Sequence, residues 1–300
     1  MPGVEKNLGI FISSHFFSYM FFFTTTSRIY IFFVVIFTTS LFAQQYPISA
    51  ESPRILPAGT AHAEFGIAHF RNQSFPLSGL DGNLTKLGIL RFGFSYDGFM
   101  EVQFDGTVLD LLEIRNRSAA FNSAITSLRT TVGDVGDFTL WTKLLFLNEY
   151  NSMLGLSLRF GVELPNAGNE SGLGVDEFNF FSSLLIQKHI AGMEWTLNAG
   201  LGILGDPTEY SEQHDVLVYA LKNKTVMSEQ TFLVMETAGR TGHRGNGIER
   251  LANGKLGIEM LHNNFDILLN GVLNFSPVDN AIGAELSVGY NFEIIHAEKK

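Results

Sequence analysis

Charged residues alternate with apolar ones in several segments of the chain. In the segment 154–164, six apolar residues alternate with small, polar or charged ones that include Arg159 and Glu163. Successive side chains of a strand point to opposite faces, so the charged residues would share one face. On the inner wall of a closed barrel, such a face would screen solutes by charge and size, or the charges would pair and fill a polar interior. Seven residues are predicted to line this lumen: Arg91, Glu101, Asp105, Lys143, Arg159, Glu163 and Glu285.

Sequence patterns typical of catalytic or metal sites do not occur in the chain. It contains neither G-x-S-x-G nor H-E-x-x-H, and its histidines are scattered over turns, loops and strand ends. Asp81–Asn83 and Asp105–Gly106 resemble fragments of cation-binding loops, but they are more typical of turns. The absence of Cys excludes thiol nucleophiles, thiolate metal sites and disulfides. We therefore predict no catalytic residue, no cofactor and no metal site.

The alternation continues over twelve stretches between Ala61 and Phe292, with short and long gaps between them. Strands that cross a membrane with one face in lipid and one in water need this period over about ten residues. The pattern predicts an all-β, transmembrane up-and-down antiparallel β-barrel of about 12 strands. A soluble β-sandwich is less consistent, since about 100 residues would normally suffice, and a β-propeller would show a repeat every 40–50 residues.

Turn residues set the expected topology. Short turns are predicted at Tyr96–Gly98, Asn148–Ser152, His189–Gly192 and His262–Asn264. Longer loops are predicted at about Asp110–Gly133 and at Arg240–Arg250. The strands near 216–221 and 232–237 have mixed faces, and the facing of Glu236 stays open. With the N-terminus in the periplasm, the short turns would face the periplasm and the long loops the outside.

The chain divides into four parts. Residues 1–43 read as a cleavable signal peptide with the apolar core Ile29–Phe37, although Met20 could be the true start and an uncleaved anchor helix is the alternative. Residues 44–59, with three prolines, are predicted to be an extended periplasmic lead-in. Residues 60–293 would form the barrel, and 294–300 a polar tail.

Composition limits the partners. The net charge of −10 argues against nucleic acid, because phosphate binding needs a basic surface. The expected location is the bacterial outer membrane, and the expected partners are outer-membrane lipid and lipopolysaccharide, the barrel-assembly machinery and small-molecule solutes. The first hypothesis is a passive channel for small molecules. The alternatives are a closed or plugged barrel with a structural or surface-interaction role, and an outer-membrane hydrolase.

Strand and loop signatures in the second half of the chain resemble a known family. They are Gly133-Asp134 before a strand with Lys143, Leu158–Pro165, Gly172–Gly174 and Asn198–Gly202. From about Gly133 onward the sequence resembles the outer-membrane barrels grouped as transporters of the meta-cleavage phenol-degradation pathway. The resemblance implies an outer-membrane location and passage of small, often hydrophobic compounds. It carries no binding residue over to this chain, and the tail after Phe292 departs from the aromatic ending common in such barrels.

Overall fold

The computed structural model describes residues 49–118, 129–174, 176–205, 213–242, 250–276 and 279–294. The predicted signal peptide, most of the polar tail and parts of the long loops lie outside these residues. Within the described ranges, helical structure is confined to a 3-10 turn at Asn169–Ser171. No helix in those ranges is long and apolar enough to cross a membrane.

Thirteen antiparallel strands form one closed sheet, because β1 pairs with both β2 and β13. The short β4 and the following β5 both pair with β3 and act as one interrupted strand, so the barrel has twelve strands, as predicted. The strands are β1 (Thr60–Phe75), β2 (Leu80–Ser95), β3 (Met100–Arg117), β4 (Thr131–Asp134), β5 (Phe138–Leu147), β6 (Gly155–Leu164), β7 (Asn179–Ile190), β8 (Met193–Gly205), β9 (Gln213–Ser228), β10 (Thr231–Gly242), β11 (Leu251–His262), β12 (Phe265–Asn274) and β13 (Ile282–Glu293).

The predicted alternation gives the barrel an apolar outer surface and an inner surface with both polar and apolar side chains. Phe65, Leu201 and Leu269 are more than half exposed, although each belongs to a paired strand. Their alternate neighbours on the same strands face the interior. A soluble protein would not present a continuous belt of such side chains to water, whereas lipid is the natural surrounding for an outward apolar band.

Short turns lie at one end of the barrel, which we call the short-turn end. The predicted turn at His189–Gly192 is a two-residue reversal in which Ala191 and Gly192 both have positive φ. The connection between β9 and β10 is also short, because β9 continues to Ser228 and β10 starts at Thr231. Short turns face the periplasm in bacterial outer-membrane barrels, so the topology predicted from the sequence would place this end there.

The Tyr96–Gly98 turn shows how one of these reversals is held. Gly98 has positive φ, and the Asp97 carboxylate accepts hydrogen bonds from the backbone N–H groups of Phe99 (2.9 Å) and Met100 (3.0 Å). These hydrogen bonds lower the pKa of the exposed Asp97. Asp97 thus acts as a side-chain cap rather than as a second positive-φ residue.

Most connections at the opposite, long-loop end are longer, but less so than the sequence suggested, and the β1–β2 connection spans only residues 76–79. The strands β3 and β4 extend the pairing to Arg117 and back from Thr131, so the loop predicted at Asp110–Gly133 shrinks to 118–130. Of that loop, residues 119–128 lie outside the described residues, as do 243–249 of the loop predicted at Arg240–Arg250.

Exposed aromatic side chains form a rim at the short-turn end. Phe265 packs against Tyr290 with ring centroids 4.6 Å apart, and Tyr290 stacks on Phe292 at 6.1 Å. Amphipathic aromatic rings are favoured where lipid headgroups meet the hydrocarbon region. Further exposed members of the rim are Tyr96, Phe99, Phe146 and Tyr150.

Candidate functional site

Two clusters of buried apolar side chains, which we together call the apolar layer, lie in the long-loop half of the interior, where Gln73, Asp279 and Arg240 are also buried. Leu77 from the β1–β2 connection reaches inward and packs with Phe181 and Val218, and Leu173 from the β6–β7 loop packs with Phe75. Barrel interiors are usually polar, and the sequence analysis did not assign these side chains to the lumen. Among the described residues, the apolar layer contains Phe75, Leu77, Leu80, Leu84, Leu112, Val132, Leu173, Phe181, Leu204, Val216 and Val218.

Below the apolar layer, interior charges form a charged layer of pairs. Asp105 accepts from Arg91 Nε (3.3 Å) and from Arg159 Nη2 (3.1 Å). Lys255 Nζ donates to Glu285 (2.9 Å). The charges therefore neutralise one another locally while still facing the lumen.

A backbone irregularity places a further pair on the same wall. Gly88 has positive φ, and the β1–β2 register shifts beside it. As a result Lys86 and Arg91, which are five residues apart in one strand, both line the interior. Lys86 Nζ donates to Asp110 at 2.8 Å. A strict period of two would have turned Lys86 toward lipid.

Glycine shapes the aromatic wall beside Arg159. A Cβ on Gly161 would lie 2.5 Å from the Trp141 ring, so only glycine lets the indole lie flat across β6. There the guanidinium carbon of Arg159 lies 3.9 Å from the centre of the Trp141 ring, and the ring centroids of Trp141 and Phe181 are 6.0 Å apart. Cation–π contacts of this kind orient the guanidinium and stabilise it in a partly dry site.

Residues 49–57, which we call the inner segment, run inside the barrel from the short-turn end. Ala50 is buried against Ala220 of β9 and Ala238 of β10. Hydrogen bonds join the inner segment to strands β3, β6, β7 and β8: Glu51 N to Asn198 Oδ1 (2.6 Å), Ser52 Oγ to Gln187 Oε1 (2.7 Å), Ser157 Oγ to the Pro53 carbonyl (2.6 Å) and Leu56 N to Glu101 Oε2 (2.9 Å).

A buried lysine anchors the inner segment. Lys143, only 2% exposed, lies 2.8 Å from Glu51 and 3.2 Å from Glu101. Burial alone would raise the pKa of Glu51, but Lys143, Arg159 and Arg91 hold that pKa well below its usual value. The Glu51 carboxylate therefore stays ionised at neutral pH and holds the inner segment to Lys143.

A cavity of about 220 Å³ lies between the apolar layer and the inner segment. Its described lining includes eight acidic and five basic side chains, so the wall carries an excess of negative charge. Several lining atoms have no hydrogen-bond partner among the described residues, including Trp141 Nε1, Glu236 Oε1 and Asn270 Oδ1. These atoms are buried in the wall, each with less than 1 Å² of exposed surface.

The seven residues predicted to line the lumen all lie on its inner wall. Five of them line the central cavity, while Glu101 and Lys143 are covered by the inner segment. Glu236, whose facing the sequence left open, also lines the cavity, where it pairs in register with Lys222 and Lys255. The described part of the predicted periplasmic lead-in lies within the barrel.

Comparison with known proteins gives similarity in structure alone. No protein-family model matches the sequence, and a search of the curated proteins finds no match. Among solved structures, the protein is similar to the COG4313 outer membrane channel from Pseudomonas putida F1, with a TM-score of 0.58, 16% identity, and coverage of 82% of this chain and 100% of that chain. It is also similar to the NanC porin, with a TM-score of 0.48, 6% identity, and coverage of 75% of this chain and 98% of that chain. For the KdgM porin the TM-score is 0.46 and the identity 8%, with coverage of 76% of this chain and 99% of that chain.

The likeness to the Pseudomonas putida channel agrees with the closed twelve-stranded sheet. An outward apolar band and an aromatic rim are the features that fit such a barrel to lipid. The protein is an outer-membrane β-barrel of the bacterial type.

Proposed function

We propose that this protein is a passive outer-membrane channel for small solutes, and that the inner segment closes it from the periplasmic side. The observation that carries the proposal is the position of the inner segment. It occupies the lumen below a cavity lined by apolar and charged side chains, and side-chain contacts rather than a strand of the sheet hold it there. A segment held in this way can leave without opening the barrel wall. The outer membrane offers no ATP, so passage follows the solute gradient.

The lining favours small amphiphilic solutes that carry an aromatic or other apolar group. Such a solute would meet the apolar layer first, and would then reach Trp141 beside the paired charges of Arg159 and Asp105. The family resemblance also supports small hydrophobic compounds, including those of phenol degradation. We assign the protein no enzymatic role.

Export and insertion belong to the same proposal. Residues 1–43 would direct the chain across the inner membrane, and the barrel-assembly machinery would insert it. Outer-membrane lipid and lipopolysaccharide would then surround the apolar band.

A closed barrel with a structural or surface role is the second candidate. The hydrogen bonds from the inner segment to four strands favour it, because each costs free energy to break. If the inner segment never leaves, nothing crosses the lumen.

Ion selectivity in planar bilayers tests the channel proposal. We expect the protein to pass K⁺ in preference to Cl⁻, because acidic side chains outnumber basic ones in the cavity wall. Glu236→Gln should reduce this preference, measured as the reversal potential in a KCl gradient. Glu113→Gln, which changes an exposed acid near the end of β3, is the matched control and should leave the reversal potential unchanged.

Two outcomes would count against the channel. A folded barrel that passes neither ions nor small aromatic solutes in bilayers and liposomes would support the closed reading. A preference for Cl⁻ would contradict the assignment of the cavity as the path.

A further inference from the structure

We propose that His62, Glu64 and Asp266 form a binding site for a divalent transition-metal ion on the inner wall of the barrel, near the short-turn end. His62 and Glu64 lie two residues apart on β1 and share its inward face. Asp266 stands at the start of β12, two strands away across β13. No sequence motif joins residues that are 200 positions apart, which is why the sequence predicts no metal site.

The distances suit an ion rather than direct hydrogen bonds. His62 Nε2 lies 3.8 Å from Glu64 Oε2, and His62 Nδ1 lies 3.8 Å from Asp266 Oδ2. Both separations are longer than a hydrogen bond. One ligand atom from each of the three residues lies within 4.8 Å of the other two. Nitrogen and oxygen ligands bound to one ion at about 2.0–2.2 Å are about 3–4 Å apart, so a small side-chain movement would complete the site.

Glycine at position 289 makes this approach possible. Gly289 lies on β13, opposite Glu64 on one side and opposite Asp266 on the other. A Cβ at this position would be 2.2 Å from Asp266 Oδ1 and 2.5 Å from His62 Cε1. The side chains of β1 and β12 therefore meet in space that any other residue at position 289 would occupy.

A neighbouring amide supports the imidazole in the way that outer-shell groups support metal-bound histidines. His62 Nδ1 lies 3.0 Å from Asn291 Oδ1, and Nδ1–H donates to that oxygen. This bond fixes the tautomer in which Nε2 carries the free lone pair. Nε2, which lies 3.8 Å from Glu64 Oε2, is then the ligand atom of His62. The Asp266 carboxylate, now nearest Nδ1, would turn toward Nε2 to complete the site.

The local charge and the types of ligand atom indicate which ion the site would bind. Two carboxylates offset a 2+ charge, and Arg91, which faces Glu64 in register, is engaged by Asp105 at 3.3 Å. One imidazole and two carboxylates suit Zn²⁺ and its first-row neighbours better than Ca²⁺ or Mg²⁺, which take oxygen ligands. Three protein ligands leave coordination positions open toward the lumen.

Zn²⁺ titration of the detergent-solubilised protein, without a polyhistidine tag, tests the site by calorimetry. We expect one Zn²⁺ per chain, and we expect His62→Ala to weaken binding about tenfold or more. The matched control is His69→Ala, which changes another histidine of β1, hydrogen-bonded to Thr85 and away from the acidic pair. It should bind Zn²⁺ as the wild type does.

Two further variants keep the test decisive. Gly289→Ala should abolish Zn²⁺ binding, because its methyl group fills the gap between the ligands. Glu64→Gln, which removes one carboxylate, should weaken Zn²⁺ binding and serves as the test if Gly289→Ala does not fold. Heat-modifiable migration on gels shows which variants are folded barrels. Equal Zn²⁺ affinity for wild type and folded His62→Ala, or no Zn²⁺ binding by the wild type at millimolar concentration, would overturn the site.

Discussion

Deleting residues 49–56 is expected to raise the single-channel conductance several-fold and to remove long closed periods. The deletion takes away most of the inner segment, including Ala50, Glu51 and Ser52, which contact the barrel wall. A twelve-stranded barrel is wider than the eight-stranded barrels that side chains can fill, so its emptied lumen would admit water and solutes. Planar-bilayer recording at fixed voltage measures the change.

Matched variants separate release of the inner segment from damage to the barrel. An equally long Gly-Ser sequence at 49–56 should also open the channel, because it keeps the length but loses the contacts. Arg54→Ala removes an exposed ion pair with Glu194 and should leave the wild-type conductance. A silent deletion variant that still shows heat-modifiable migration would contradict the role of the inner segment.

The pKa of Glu51 also sets the pH range of the closed state. Because the folded-state pKa lies below the usual 4.5, the ion pair contributes stability above that value and loses it as pH falls. Closure should therefore be unchanged from neutral pH down to about pH 5.

Lys143→Met is expected to lower the free energy of unfolding by about 3–5 kcal/mol, which is the usual cost of removing one partner of a buried ion pair. The change leaves Glu51 and Glu101 facing each other without the ammonium group between them. Guanidinium unfolding in detergent micelles, followed by tryptophan fluorescence, measures it.

Lys188→Met is the control for this substitution, since Lys188 is an exposed lysine near the β7–β8 turn and should cost little. Adding Glu51→Gln and Glu101→Gln to Lys143→Met should restore part of the loss, because the uncompensated charges disappear. Equal unfolding midpoints for Lys143→Met and wild type would show that Lys143 is not an anchor.

The sequence predicted the barrel because strands and tight turns depend on residues that are close together in the chain. Alternation in segments such as 154–164 depends on the next residue but one, and turns such as His189–Gly192 depend on adjacent residues. For the same reason the inward facing of Arg159 and Glu163 followed directly from strand parity.

The remaining features depend on contacts between distant residues. Parity fails at Gly88, where a bulge turns Lys86 inward. It places Phe181 and Leu185 on the inward face of β7, but it does not show that apolar side chains pack together there. Three prolines in 44–59 indicated an extended segment, but a proline pattern does not say which surface that segment contacts. Glu51 and Lys143 meet only after the barrel has closed.

The most direct test is the conductance of an Ala50→Cys/Ala220→Cys variant, measured first oxidised and then reduced. Both alanines belong to one buried cluster, and the chain has no Cys of its own, so a disulfide would join the inner segment to β9 without competing pairs. We predict no conductance from the oxidised variant and wild-type channel events after reduction. The conductance of the Ala220→Cys control should change with neither treatment. Equal conductance in the oxidised and reduced states would contradict an inner segment that opens and closes the lumen.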